Sequence, residues 1–169
     1  MATIGNEKLS PTNNGKSEKY VISASAVVPA RRERVYSLIA NYNDGHPRIL
    51  PKQFSNLTVE QGGVGAGTVI RFQMSVLGKK QTLRAAITEP EPGRVLVETY
   101  LDGKDTVTTF TVNPGTAPAD SHVTISTELP VRSGFLGVLE RKLSALLLRP
   151  IYSKELQNLA RVATGPFGL

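Results

Sequence analysis

Residues 68–89 read TVIRFQMSVL-GK-KQTLRAAITE, and the period of this stretch decides the fold. Ile70, Phe72, Met74 and Val76 share one parity, with Arg71 and Gln73 on the other. After the break Leu83, Ala85 and Ile87 oppose Thr82 and Arg84. Alternation at period two puts apolar side chains on one face of a strand. Two such runs joined by a Gly78-Lys79 turn predict an antiparallel hairpin with a dry face and a wet face. Arg71, Gln73 and Arg84 belong to the wet face, where Glu98 is expected as a cross-strand partner for an arginine. The facing of the strand that carries Glu98 stays open. Glu98 shares a parity with Leu96 and Tyr100, while Val95 and Val97 compete for the interior.

Similar runs extend in both directions. Phe54 to Gln61, Val95 to Tyr100, Asp105 to Val112 and His122 to Leu129 read as strands. They are punctuated by Gly62 to Gly67, Pro90-Glu91-Pro92-Gly93, Asp102-Gly103 and Asn113-Pro114-Gly115. Asp102-Gly103 is the signal of a two-residue hairpin with positive φ at both turn positions. Upstream, Tyr20 to Val28 is a strand ended by Pro29. Val35, Leu38, Ile39 and Tyr42 then fall at helical spacing, and Asn43 to Pro47 breaks that helix. Beyond Pro130, residues Leu139, Leu143, Leu146, Leu147, Ile151, Leu156, Leu159 and Val162 form one broad stripe of a long C-terminal helix. Pro150 predicts a kink or break near Leu146. The fold class is α+β: a curved antiparallel sheet of about six to seven strands wrapped on that helix. One or two short helices follow the first strand, and residues 20–169 form a single domain behind a polar arm at 1–19.

Composition excludes much chemistry. The chain has 169 residues, 40% of them hydrophobic and 20% charged, which suits a folded domain able to bury a core unaided. The absence of cysteine excludes a disulfide framework, a cysteine-held metal and a thiol nucleophile. With two histidines, His46 and His122, a multi-histidine metal site is poorly supplied, and neither metal nor cofactor is expected. Without tryptophan, base stacking is poorly supplied too, and no nucleic-acid partner is expected. The N-terminus lacks the apolar core of a signal peptide and no run is long enough to span a bilayer, so the chain reads as cytoplasmic.

The order of elements resembles the helix-grip fold of the START/SRPBCC superfamily, in particular its polyketide cyclase/dehydrase-like bacterial members. The resemblance is carried by Val28-Pro29-Ala30 with Glu33-Arg34-Val35-Tyr36 and Ile39, by His46-Pro47-Arg48-Ile49-Leu50-Pro51, and by Val59 to Thr68. It is completed by Leu148-Arg149-Pro150-Ile151-Tyr152 with Glu155-Leu156 and Leu159-Ala160. It implies a hydrophobic cavity between sheet and C-terminal helix, and a small hydrophobic ligand such as a lipid, polyketide or quinone-like molecule. On that fold the expected liners are Phe72, Met74, Leu83, Ile87, Val97, Tyr100 and Phe110 from the sheet, with Leu143, Leu147 and Ile151 from the helix. Tyr42, His46 and Ile49 are expected at the mouth.

Chemistry-bearing motifs are sparse. The glycine cluster 62–67 lacks the spacing and the following Lys-Ser/Thr of a phosphate loop, and a strand rather than a helix follows it. It reads as a turn. His46 is either a base or polar anchor at the cavity, or a half-exposed loop histidine packed on Pro47. Tyr100 is the leading inward polar candidate. An enzymatic alternative, a polyketide cyclase/aromatase or dehydratase, draws on His46 and Tyr100, with Tyr42, Thr108 and Glu98 in reserve. The net charge is +6, and residues 130–169 hold six cations against Glu140 and Glu155. A basic helix face of this kind is usually solvated, and weak contact with an anionic membrane surface is its one expected further use. The oligomeric state is not legible.

Overall fold

The computed structural model describes residues 18–131 and 134–165, without the side chains of 135 and 136. Of the expected arm, residues 1–17 lie outside the described residues, and Lys19 already opens the first strand. The chain runs β1 (Lys19–Val28), α1 (Arg32–Ala40), α2 (Gly45–Ile49), β2 (Phe54–Gln61), β3 (Val69–Val76) and β4 (Lys79–Glu91). It continues through β5 (Val95–Tyr100), β6 (Val107–Pro114), β7 (Ser121–Pro130) and α3 (Gly134–Thr164). The strands form one sheet in the order β1-β7-β6-β5-β4-β3-β2, each pair antiparallel. This is the helix-grip fold. Among the described residues no helix is long and apolar enough to cross a membrane.

The deciding hairpin forms with Phe72 opposite Leu83 and Ile70 opposite Ala85, all four buried. Its turn falls one residue earlier than expected. Leu77 and Gly78 both take positive φ (50° and 76°), and Lys79 already pairs with Val76. That is the handedness a two-residue turn needs to match strand twist. The Asp102-Gly103 signal gives no such turn. Positive φ falls on Gly103 and Asp105, in a wider loop between β5 and β6.

Along β5 the buried residues are Leu96 and Glu98, which settles the open facing. Register fixes it: Glu98 lies opposite Ile87 on one side and Thr108 on the other, both buried. Val97 therefore points to the opposite face of the sheet. The wet-face arginines are partnered by Glu60 instead, which accepts from Arg71 at 2.6 Å and from Arg84 at 2.6 and 2.9 Å.

Helix α3 runs unbroken through Pro150. Its C-terminal half docks: Ile151, Tyr152, Leu156, Leu159 and Val162 are all 5% exposed or less. Burying each such aliphatic side chain stabilises the fold by roughly 1.5–3 kcal/mol. The N-terminal half of the expected stripe does not dock, for Leu139, Leu143 and Leu146 are 53, 45 and 72% exposed.

The glycine cluster is a turn that grips α1. Tyr42 N–H donates to the Gly63 carbonyl at 2.8 Å, and Gly65 N–H donates to the Ala40 carbonyl at 2.9 Å. Gly65 has φ +63°, and a Cβ there would collide with the Glu89 carboxylate. That carboxylate accepts from Ala66 N–H (2.8 Å) and Tyr36 Oη (2.6 Å).

Candidate functional site

Curvature leaves a cavity of about 530 Å³ between the concave face and the middle of α3. Its apolar walls are Ile70 and Phe72 of β3, Leu83 of β4, Phe110 of β6 and Ile125 of β7. Phe54, Leu57, Met74 and Val76 extend them toward solvent, where the exposed Lys79, Lys80, Asp102 and Lys104 form the rim. Helix α3 contributes Leu148, Tyr152 and Glu155, at helical spacing.

Of the residues anticipated from sequence, His46, Phe72, Met74, Leu83, Tyr100 and Phe110 come together at this cavity. The others lie elsewhere. Ile49, Ile87 and Ile151 are buried in the solid core away from the cavity wall, at 0, 2 and 4% exposure. Val97 is on the far face of the sheet, Leu143 is exposed, and Leu147 is half-buried off the wall. The expected helix stripe is rotated from the one that faces the cavity: 148, 152 and 155 point inward, not 143, 147 and 151. Tyr42 is fully buried behind the wall and reaches it only through its hydroxyl.

The inner end of the cavity is polar. Tyr42 Oη donates to Glu98 Oε1 at 2.6 Å, and His46 Nε2 lies 3.8 Å from the same oxygen. The His46 ring stacks on Tyr42, with centroids 4.4 Å apart, and meets the edge of Phe110 at 5.6 Å. Its Nδ1 is 2.7 Å from the Ile39 carbonyl, an acceptor only, so Nδ1 carries the proton and Nε2 presents a lone pair. The half-exposed loop histidine is thus corrected: His46 is 2% exposed because α2 folds it inward beneath Tyr42. Burial lowers its pKa to about 4, against a smaller opposing effect of the Ile39 contact. Burial raises Glu98 to about 7, partly offset by the Tyr42 hydrogen bond. A neutral imidazole thus stands beside a carboxyl poised near neutrality, which is the property of a general acid or base at physiological pH.

Two further groups went unread. Glu155 is 3% exposed, and burial, reinforced by Glu98, raises its pKa well above the usual carboxylate range. Its signal was its position, midway between Ile151 and Leu159 on the apolar stripe. Tyr152 Oη bonds Thr127 Oγ1, which bonds Thr108 Oγ1 at 2.8 Å, carrying a hydroxyl chain across β7 and β6. Tyr100 stands edge-on to Phe72 at 6.1 Å, and burial raises its pKa well above 10. Among the described residues no cluster of three or more His, Asp or Glu side chains is placed to hold a metal ion.

Comparison with solved structures agrees with this architecture. The solution structure of the KanY protein superposes with a TM-score of 0.76 at 24% identity, covering 88% of this chain and 99% of that one. The Zhui aromatase/cyclase from Streptomyces sp. R1128 gives 0.70 at 13% identity, covering 90% and 100%. A START superfamily protein from Mycobacterium smegmatis gives 0.67 at 16%, covering 83% and 97%. At these identities the likeness shows the fold alone. No curated protein matches the chain. Residues 20–164 match the family described as polyketide cyclase/dehydrase and lipid transport, and the chain belongs to that family.

Proposed function

We propose that the chain binds a small, largely apolar molecule between the sheet and α3. The observation that supports this is the cavity: about 530 Å³, apolar along its walls, polar at its inner end and open at a lysine-bearing rim. A ligand burying about 300 Å² of apolar surface gains roughly 7 kcal/mol at ~25 cal/mol/Å², before the cost of association, which is ample for micromolar binding. Native mass spectrometry of the protein purified from its source tests the reading through what co-purifies. Displacement of a fluorescent apolar dye from the cavity tests it in solution. A protein that carries nothing and takes up no dye refutes it.

The buried acid–base set favours a second reading, a cyclase or dehydratase on a polyketide-like substrate. Confinement of a flexible chain supplies part of such catalysis, and Glu98 beside His46 supplies a proton acceptor and donor at neutral pH. Turnover of a test polyketide that survives both Glu98→Gln and His46→Ala unchanged would remove these residues from it. A minor role follows from α3. Its exposed Leu139, Leu143 and Leu146 adjoin Lys142 and Arg149, a combination suited to weak contact with an anionic membrane surface during loading.

A further inference from the structure

We propose that Glu155 is the cavity's hydrogen-bond donor for an uncharged ligand, one whose apolar body lies along the sheet and whose inner end carries a carbonyl-type oxygen. The proposal rests on the binding reading above and names the chemical class that the site selects.

Glu155 lines the cavity, is 3% exposed, and its Oε1 has no hydrogen-bond partner among the described residues. A buried polar atom left unpaired costs free energy that a ligand atom can recover. The form of the carboxyl is set by its neighbours. Glu98 and Tyr100 of β5, Tyr42 after α1 and Tyr152 of its own helix surround it electrostatically. His46 of α2, Thr108 of β6 and Thr127 of β7 complete the polar end of the cavity. None of these is a cation, since the imidazole is held neutral. A carboxyl in an apolar enclosure beside a second carboxyl keeps its proton. It therefore presents an O–H, and the complement of an O–H is an acceptor.

The other partner for two acidic groups is an ammonium. The entrance argues against it. Lys79, Lys80 and Lys104 stand at the rim against Asp102, and the path inward passes Phe72, Leu83 and Phe110, which do not solvate a cation. A neutral ketone or quinone meets neither obstacle.

Three naphthalene probes of one size separate these cases, measured by calorimetry on the full chain: 2-isopropylnaphthalene, 2-acetonaphthone and 1-(2-naphthyl)ethylamine. The ketone is expected to bind about tenfold tighter than the hydrocarbon, the ratio that one hydrogen bond in a dry site supplies. Glu155→Gln, whose amide still donates, keeps the preference. Glu155→Leu loses it while still binding the hydrocarbon. Equal binding of ketone and hydrocarbon by the native chain overturns the role of Glu155 but leaves the cavity reading standing. Tightest binding of the amine overturns the role too and makes the carboxyl pair a cation site. Failure of all three probes overturns the cavity reading, and the proposal with it.

Discussion

Glu98→Gln exchanges an ionisable carboxyl for a neutral amide of nearly the same shape, at a position 5% exposed. The amide oxygen still accepts from Tyr42 Oη, so the hydrogen bond survives and only the titration is lost. Glu98 titrates at about 7 in the fold and near 4.5 in the free chain. Between those values the folded state holds more protons than the unfolded one. The stability contribution is therefore full below about pH 4.5, declines as pH rises and levels off above about 7. At ~1.4 kcal/mol per pH unit the gap amounts to about 3 kcal/mol. His46 runs the other way. Its pKa falls from 6.5 to about 4 on folding, so stability drops as pH falls through that interval. In the native protein the two slopes oppose each other between about pH 4.5 and 6.5, and stability there is nearly flat. Glu98→Gln leaves only the histidine slope. Chemical denaturation is expected to find the variant as stable as the native chain near pH 4, and about 3 kcal/mol more stable near pH 8. In a domain of this size that is roughly 6–12 °C in Tm. Equal destabilisation at both pH values would refute the reasoning, for it would mean a carboxylate that is ionised and paired in the fold.

Tyr42→Phe removes the hydrogen bond that favours the charged form of Glu98, so the Glu98 pKa rises further above 7. Carbon-detected NMR titration of the side chain reads this directly, and denaturation shows a loss of about 1–2 kcal/mol. Gly65→Ala forces a Cβ into the Glu89 carboxylate at a positive φ, and a loss of about 1–3 kcal/mol is expected by thermal melting. Pro150→Ala restores a helical N–H within α3 and is expected to gain about 1–2 kcal/mol, read by the same melts. Flotation with anionic vesicles should show weak binding at low salt, abolished by high salt and by Lys142→Glu with Arg149→Glu. Binding that is indifferent to salt and charge removes the basic face from any role in it.

The sheet was legible where parity was unambiguous. In β3 and β4 each apolar residue sits two from the next, and the arginines between them leave one choice of face. β5 was not legible, because Val95, Leu96 and Val97 put apolar side chains on both parities, and the charge on Glu98 argued for solvent. Only the pairing of Glu98 with Ile87 and Thr108 decides it, and pairing is a long-range property. The helix failed for a related reason. Leu143 and the Leu146 to Leu148 run put leucine on most sides of two turns, so period alone selects no face there. The acid–base end of the cavity joins α2, β5 and α3, three elements far apart in the chain. His46 was read as a loop residue because Pro47 concealed the short helix that carries it inward.

The two edges of the sheet are its first two strands, β1 and β2, at opposite sides. Among the described residues β1 pairs only with β7, Val28 facing Ser121 and Lys19 facing Pro130. During synthesis, at about 5–20 residues per second, β1 therefore waits several seconds with its backbone unpaired while five other strands emerge. The hairpins β2–β3, β3–β4, β4–β5 and β5–β6 form locally in that interval, but none of them encloses a space. Closure comes with the last third of the chain, which delivers the ladder for β1 and the helix that roofs the sheet together. A nascent chain stopped before β7 leaves β1 unpaired and opens β6 as an edge in addition to β2, a template for self-association. The space beneath the sheet is thus roofed only at the end of folding, when α3 docks, and its lysine-bearing rim is the way in that remains.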